Sequence, residues 1–309
     1  MQAIIQQNYH GTAGLQLTNV PTTPPGPISL NVKTAYTPVL PWDWRSGLGE
    51  LQSLNNQRPP YVISYGFTGV VTAVGPLRST NWLNQRVLGV NPRGSAREIN
   101  QVPRLPYLFK VPDPVSLAAA TTLIGGADAA MAVMRAAKLP DHATVLVTGA
   151  TGGVGTALIQ LLKQQQLTVI AVTSAANQAW IHDLGSDYEL DYQADLTAQL
   201  AQVPTPSHLL DAVGQPALLT TLTQNFPNID IWSLSLPHWQ PTRPTQRFHF
   251  TNRPIMPSGY QQLLQMLADD TLKPIIREID DFAQVAQAQQ NAQQHGGRGR
   301  ILLRYSAEN

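Results

Sequence analysis

Over roughly the first hundred residues, short β-rich runs (Ile28–Tyr36, Gly69–Val74 and Arg86–Val90) alternate with stretches dense in proline and glycine. That punctuation cuts the chain into short strands and predicts a compact, mostly β domain. From about Leu117 the pattern changes. An Ala-rich stretch to Lys138 has helical spacing. Ala143–Thr148 is a continuous apolar strand, and a glycine-rich turn leads from it into a helix over Gly155–Gln165. The unit then recurs: strand Thr168–Thr173, helix Asn177–Leu184 closed by Gly185, strand His208–Val213 and strand Ile229–Leu234. Strands alternating with helices imply a parallel, doubly wound sheet. Helical spacing returns over Gly259–Asp269 and Phe282–Gln294. Arg300–Tyr305 reads as a terminal strand after Gly296-Gly297. Phe282, Val285 and alanines at three- and four-residue spacing make the Gln-rich segment an ordinary packed helix rather than low complexity.

A chain of 309 residues is long enough for two cores, so two domains are expected. A net charge of +1 with scattered Lys and Arg supplies no basic stripe for nucleic acid and no polybasic patch for a membrane surface. The absence of cysteine removes disulfides, thiolate nucleophiles and every Cys-containing zinc site. Met1–Gly14 lacks the charged and apolar regions of a signal peptide, so a cytoplasmic location is expected. The small-residue run Val115–Met134 contains Gly125, Gly126 and Asp128 and reads as a buried helix, not a membrane span.

The segment with the most chemistry is Val145–Gly155, VLVTGATGGVG. Its glycines stand where a strand must reverse tightly into a helix, and helix N-termini favour anions. Gly152 lets a phosphate approach bare backbone, Gly155 lets the helix pack on the strand, and Ala150 stands where a strict dinucleotide fingerprint has its first glycine. No Lys-Ser or Lys-Thr follows, which excludes a phosphate-loop hydrolase. No Tyr is followed four residues later by Lys, which removes the catalytic pair of short-chain dehydrogenases.

The chain resembles the medium-chain dehydrogenase/reductase superfamily, in its zinc-free quinone oxidoreductase-like branch. The blocks that carry the resemblance are Gly66–Gly75, Asn84–Gly89, Ala118–Ala120, the glycine turn, Leu184–Asp187 leading to Asp191-Tyr192, Asp211–Gly214, Leu272–Pro274 and Gly297–Leu303. Each is short, and their order along nearly the whole chain is the signal. The resemblance implies an α/β chain: a GroES-like, mostly β catalytic domain from residues 1–118 and 253–309, and a Rossmann dinucleotide-binding domain over 119–252. Zinc-dependent relatives carry Gly-His-Glu where this chain has Ser64-Tyr65-Gly66, so no metal is expected. The implied activity is transfer of hydride from NADPH to a quinone or an α,β-unsaturated carbonyl compound.

By the same resemblance the cofactor is held by Thr148, Gly152, Gly153, Val154, Gly155, Thr173, Ser174, Asn177, Tyr192 and Val213. NAD-selective folds place a carboxylate at the end of the second strand. Here that end reads Thr173-Ser174-Ala-Ala-Asn177, which favours NADPH and leaves NADH open. The family's cation near Asn177 is missing, since no Lys or Arg lies between Lys163 and Arg243. A ribose phosphate must therefore rely on these polar groups or on a residue from elsewhere in the chain. The family's Asn before Pro-x-Asp becomes Thr37 or Leu40, and a threonine expected near 127 is Ala127. Tyr36 and Tyr65 are the candidate proton donors, with Trp42 and Trp44 as further aromatics for a flat substrate. The seven histidines show no i,i+4 metal spacing and no identifiable carboxylate partner, and read as surface or hydrogen-bonded structural residues. A homodimer through Ile229–Leu234 or Gln246–Phe250 is implied. The alternatives are a cofactor-binding protein with little catalysis (a redox sensor or a structural protein) and a zinc-free carbonyl reductase.

Overall fold

The computed structural model describes residues 1–54, 57–91, 93–102, 107–294 and 297–305. Gly296 of the Gly296-Gly297 pair and part of the Arg45–Pro60 loop therefore lie outside the described residues. The chain forms two compact units: Met1–Gly125 with Tyr260–His295 and Arg300–Asn309, and Gly126–Gly259 with Gly296–Gly299. The sequence divided the chain near 118 and 252; the structure divides it seven residues later each time, and gives the second unit a short piece of the C-terminal region.

The first unit is mostly β. Its larger sheet runs Ile276–Asp281, Arg300–Arg304, Leu30–Pro38, Gly66–Val74, Arg86–Val90, Leu108–Lys110, with Ile99–Val102 also pairing to Leu30–Pro38. A three-stranded sheet holds Leu15–Asn19, Gln2–Gln6 and Tyr61–Val62. Between strands Leu30–Pro38 and Gly66–Val74 the core is built from Leu30, Val32, Phe67, Val71 and Val87, all fully buried. The Gln-rich segment packs as expected: Phe282, Val285 and Ala288 join Ile4, Ile301 and Leu303 in a second cluster.

The second unit is a six-stranded, wholly parallel sheet. Its strands are β1 (Thr144–Thr148), β2 (Thr168–Thr173), β3 (Tyr188–Asp191), β4 (His208–Asp211), β5 (Asp230–Ser233) and β6 (Arg247–Phe250). Their spatial order is β3-β2-β1-β4-β5-β6, with the reversal between β1 and β4. In such sheets ligands bind beyond the carboxyl ends of the strands at that switch point. The helices are α1 (Asp128–Ala137), α2 (Gly155–Gln164), α3 (Gln178–Leu184), α4 (Leu196–Leu200) and α5 (Pro216–Thr223). Leu146, Ile170, Leu209 and Ile231, one from each central strand, are fully buried with Leu219 and Leu222 of α5. Burial of that kind stabilises by about 1.5–3 kcal/mol per side chain. Leu158, Ile159 and Leu162 of α2 are also fully buried.

Two expectations change. The Ala-rich stretch is not one helix: it breaks at Ile124 (ψ 120°) and Gly125 (φ +62°), a left-handed turn that glycine allows at little cost. The run is long and apolar enough to span a membrane, and 83% of its most apolar window is buried within the protein. Also, Ile229–Leu234 cannot be a free sheet edge, because β5 is paired on both sides; the edge strand is β6.

Candidate dinucleotide site

The β1–α2 turn is set by its glycines. Gly149 adopts φ +65°, and the Gly152 amide donates to its carbonyl (3.0 Å) to close the turn. A Cβ on Gly155 would lie 2.1 Å from the Gly149 oxygen and 2.7 Å from the Ala150 Cα, so only glycine lets α2 sit against the strand. A Cβ on Gly152 would meet nothing closer than that same oxygen at 3.4 Å. The turn is therefore packed tight at Gly155 and open at Gly152. No side chain caps the first turn of α2 and no acidic residue occupies it. The N-terminal end of a ten-residue helix is thus left electropositive toward this opening.

The floor is held by Asp211, at the end of β4 and 1% exposed. Its carboxylate accepts from Thr148 Oγ1 and Ser233 Oγ (2.6 Å each) and from the Val213 and Gly214 amides (3.1 Å each). The ends of β1, β4 and β5 are thereby tied to one group, which turns Val213 outward, 37% exposed, beside the turn: a Cβ on Gly149 would lie 3.0 Å from its Cγ2. Sequence reasoning missed Asp211 because a buried acid reads the same whether it caps a loop or does chemistry.

At the end of β2, Thr173 is buried and its Oγ1 has no hydrogen-bond partner among the described residues. Asn177 Nδ2 donates to Ser174 Oγ (3.1 Å), and the exposed Tyr192 donates its amide to the Thr173 carbonyl (3.1 Å). The missing cation is present after all. Arg298 Nε donates to Asn177 Oδ1 (2.8 Å), and its guanidinium lies 4.8 Å over the Trp180 ring. The Gly299 amide donates to the Thr151 carbonyl (2.7 Å), joining the Arg298 segment to the glycine turn. The contact spans 121 residues, so no local spacing could show it. Thr148, Gly152, Gly153, Val154, Gly155, Thr173, Ser174, Asn177, Tyr192 and Val213 thus lie at or just beyond the carboxyl ends of β1, β2, β3 and β4.

Tyr36 and Tyr65 belong to the first unit. Tyr36 is buried (8% exposed) opposite Thr68, and Tyr65 directly precedes the strand that carries Thr68, so both occupy one end of that ladder. The Tyr65 hydroxyl lies 3.4 Å from where a Cβ on Gly125 would stand. Trp44 packs on a core cluster. Thr37 Oγ1 lies 3.1 Å from Tyr305 Oη, and Thr37, Leu40 and Ala127 are all buried. Asp43 is wholly buried beside this region. Burial pushes its carboxyl up to about 7, although the Ser64 amide donates to it (2.9 Å). Two histidines do have carboxylate partners, contrary to the sequence reading: His182 with Glu189 and His249 with Asp230, both at 3.1 Å. The partners lie seven and nineteen residues away; His182 Nδ1 shares a hydrogen bond with Glu189, whereas His249 meets Asp230 only at ion-pair distance.

Comparison with known proteins agrees with this architecture. The NAD dependent epimerase/dehydratase family model matches residues 145–225, the glycine turn and the strands that follow. The medium chain reductase pydE of Acremonium sp is 29% identical over 220 residues, covering 62% of this chain and 60% of its own length. The chloroplast envelope quinone oxidoreductase homolog of Arabidopsis thaliana is 27% identical over 248 residues, covering 75% and 74%. A mycobacterial protein solved in complex with NADPH superposes with a TM-score of 0.83 at 21% identity, covering 99% and 100%. The fold is that of the medium-chain dehydrogenases/reductases. The resemblance read from the sequence blocks is borne out: the curated relatives are quinone oxidoreductases and medium-chain reductases, and the chain spans 60% of the length of the first of them.

Proposed function

We propose that the chain is an NADPH-dependent reductase of quinones or α,β-unsaturated carbonyl compounds that works without zinc. The observation carrying this is the β1–α2 turn, tight at Gly155 and open at Gly152 in front of an uncapped helix. That arrangement fits a dinucleotide diphosphate. The unpartnered Thr173 Oγ1 and the Ser174–Asn177–Arg298 group at the end of β2 fit the adenosine ribose. NADPH is favoured over NADH by the lack of a carboxylate there, and the mycobacterial protein of the same fold binds NADPH.

The bound cofactor supplies hydride; the protein positions it and excludes water. Zinc independence is supported by side-chain chemistry: Ser64-Tyr65-Gly66 stands where zinc-dependent relatives have Gly-His-Glu, and among the described residues no group of three His, Asp or Glu could hold a metal. Without a Lewis acid, a substrate that accepts charge through its own conjugated carbonyl is the natural partner. Protonation of the reduced product falls to Tyr36 or Tyr65, or to solvent. The relatives support the substrate class, one being a quinone oxidoreductase homolog. The reading extends to a cytoplasmic homodimer that pairs through β6, the edge strand whose backbone groups are open on one side.

The test mixes purified protein with NADPH and a panel of quinones and enones while nicotinamide absorbance is followed. Turnover of several members is expected, and deuterated NADPH will label the β-carbon of an enone product. Silence across the panel overturns the reading, and label on a carbinol carbon redirects it to carbonyl reduction.

A further inference from the structure

We propose that Asp43 is a positioning residue for protonation of the reduced substrate: through the Ser64 amide it holds a left-handed turn that sets the place of the Tyr65 hydroxyl, and that hydroxyl gives the proton. The proposal rests on the reductase reading above and deepens it, because it chooses between the two candidate tyrosines and names what holds the chosen one.

Ser64 adopts φ +61°. A residue other than glycine rarely occupies that region, and where it does the surrounding structure must hold it there. Each residue of the Ser64–Gly66 turn is held. Asp43 Oδ1 accepts the Ser64 amide (2.9 Å). The Ser64 carbonyl accepts the Ser95 amide (3.0 Å), and the Tyr65 carbonyl accepts the Asn91 amide (2.7 Å). The Gly66 carbonyl accepts Ser64 Oγ (3.2 Å) and Ser95 Oγ (2.8 Å). Of these partners only Asp43 is ionisable, and it is 4% exposed. It stands in the first turn of the short helix Pro41–Gly47, where its own amide donates to the Leu40 carbonyl (3.0 Å).

The far side of the turn shows what this anchoring achieves. Tyr65 Oη lies 3.4 Å from where a Cβ on Gly125 would stand, and Leu40 Cδ2 lies 2.4 Å from the same point. Gly125, at φ +62°, leaves open the space on which the two side chains converge. Leu40, Asp43, Ser64, Tyr65 and Gly125 thus close a ring of contacts inside the first unit. Tyr65 is half-buried, as a group that must meet substrate has to be, whereas Tyr36 is buried. Burial pushes the Asp43 carboxyl up to about 7, although the Ser64 amide and the Arg300 guanidinium both favour its ionised form; Tyr61 and Tyr305 are the other titratable groups that feel its charge. Groups kept in such surroundings concentrate at functional sites. In the step itself, hydride addition leaves the conjugated substrate as an enolate or a hydroquinone anion. The Tyr65 O–H bond breaks, its proton bonds to the enolate α-carbon or the hydroquinone oxygen, and solvent water reprotonates the phenolate. A donor displaced by about 1 Å loses much of its effect, which is how a residue that never touches substrate enters the rate.

Steady-state kinetics of the full chain with NADPH and the best substrate of the quinone and enone panel test this. Tyr65→Phe should lower kcat at least about tenfold, with KM for the substrate within about threefold of wild type. Asp43→Ala should lower kcat by a similar factor. Asp43→Asn should restore it to within about threefold of wild type, because the amide oxygen still accepts from Ser64. The double variant Asp43→Ala, Tyr65→Phe should be within about twofold of Tyr65→Phe, since a residue that acts only through another adds nothing once that other is gone. Asp43→Ser, with a side chain one atom shorter, repeats the comparison if the alanine protein does not fold. Wild-type kcat in Tyr65→Phe overturns the proposal. So do losses that multiply in the double variant, or an Asp43→Asn protein as slow as Asp43→Ala. In each of those cases the reductase reading stands, whereas a wild type that reduces no member of the panel overturns both.

Discussion

Alanine at Gly152 and alanine at Gly155 are the same chemical change three residues apart, and the structure predicts opposite consequences. At Gly155 the new methyl group would sit 2.1 Å from a backbone oxygen and 2.7 Å from a Cα, well inside contact distance, and neither atom can swing away. The helix or the turn must move by about 1 Å, and overpacking of this kind costs about 1–3 kcal/mol. At Gly152 the nearest atom is 3.4 Å away, an ordinary contact, and the backbone is outside the left-handed region. Stability of Gly152→Ala should therefore stay within about 0.5 kcal/mol of wild type. The methyl group would instead project into the space assigned to the diphosphate, and NADPH affinity should fall at least about tenfold, or 1.4 kcal/mol. Urea unfolding without nucleotide and calorimetric titration with NADPH separate the two quantities. A Gly152→Ala protein that binds NADPH like wild type would refute the argument, as would a Gly155→Ala protein as stable as wild type.

Asp211→Ala would strand two buried hydroxyls and two amides, and should cost about 3 kcal/mol or more in urea unfolding, with Asp211→Asn intermediate. For Asp43 the folded value of about 7 lies above the ordinary 3.8, so the folded state holds the extra proton between about pH 4 and 7. The contribution of this group to stability therefore falls as pH rises through that window. A rise from 3.8 to about 7, at 1.36 kcal/mol per pH unit, sets the limit near 4 kcal/mol. Asp43→Asn should flatten that part of the stability profile measured from pH 5 to 8; an unchanged slope would show that Asp43 titrates normally. Light scattering should give the mass of a homodimer, and a β6 edge broken by Phe248→Pro should give a monomer that still binds NADPH; a monomeric wild type overturns the assembly.

Local pattern makes most of the second unit legible in the sequence. Strands β1 and β2 and the start of α2 fall where apolar runs and glycines place them, because a fully buried parallel strand leaves a continuous β-branched run such as TVLVT. The gathering of Thr148, Thr173 and Asn177 follows from topology alone. Three things needed the fold. Arg298 reaches Asn177 across 121 residues, and before folding it is one basic residue among glycines. Asp211 looks like any strand-end acid until Ser233 arrives from the next strand. The break at Ile124 and Gly125 is masked by good helix formers on both sides. In the first unit the Pro-rich spacing predicted strands but not their pairing, since loop closure there joins residues as distant as Leu30 and Val102.

The most direct test of the central claim is a single calorimetric titration of the wild-type chain with NADPH, repeated in the presence of 2′,5′-ADP. The account predicts one site per chain with affinity in the micromolar range or better, competed by the adenosine fragment and abolished or strongly weakened in Gly152→Ala. No heat of binding up to about 1 mM NADPH, equivalent to less than about 4 kcal/mol of binding free energy, would contradict it.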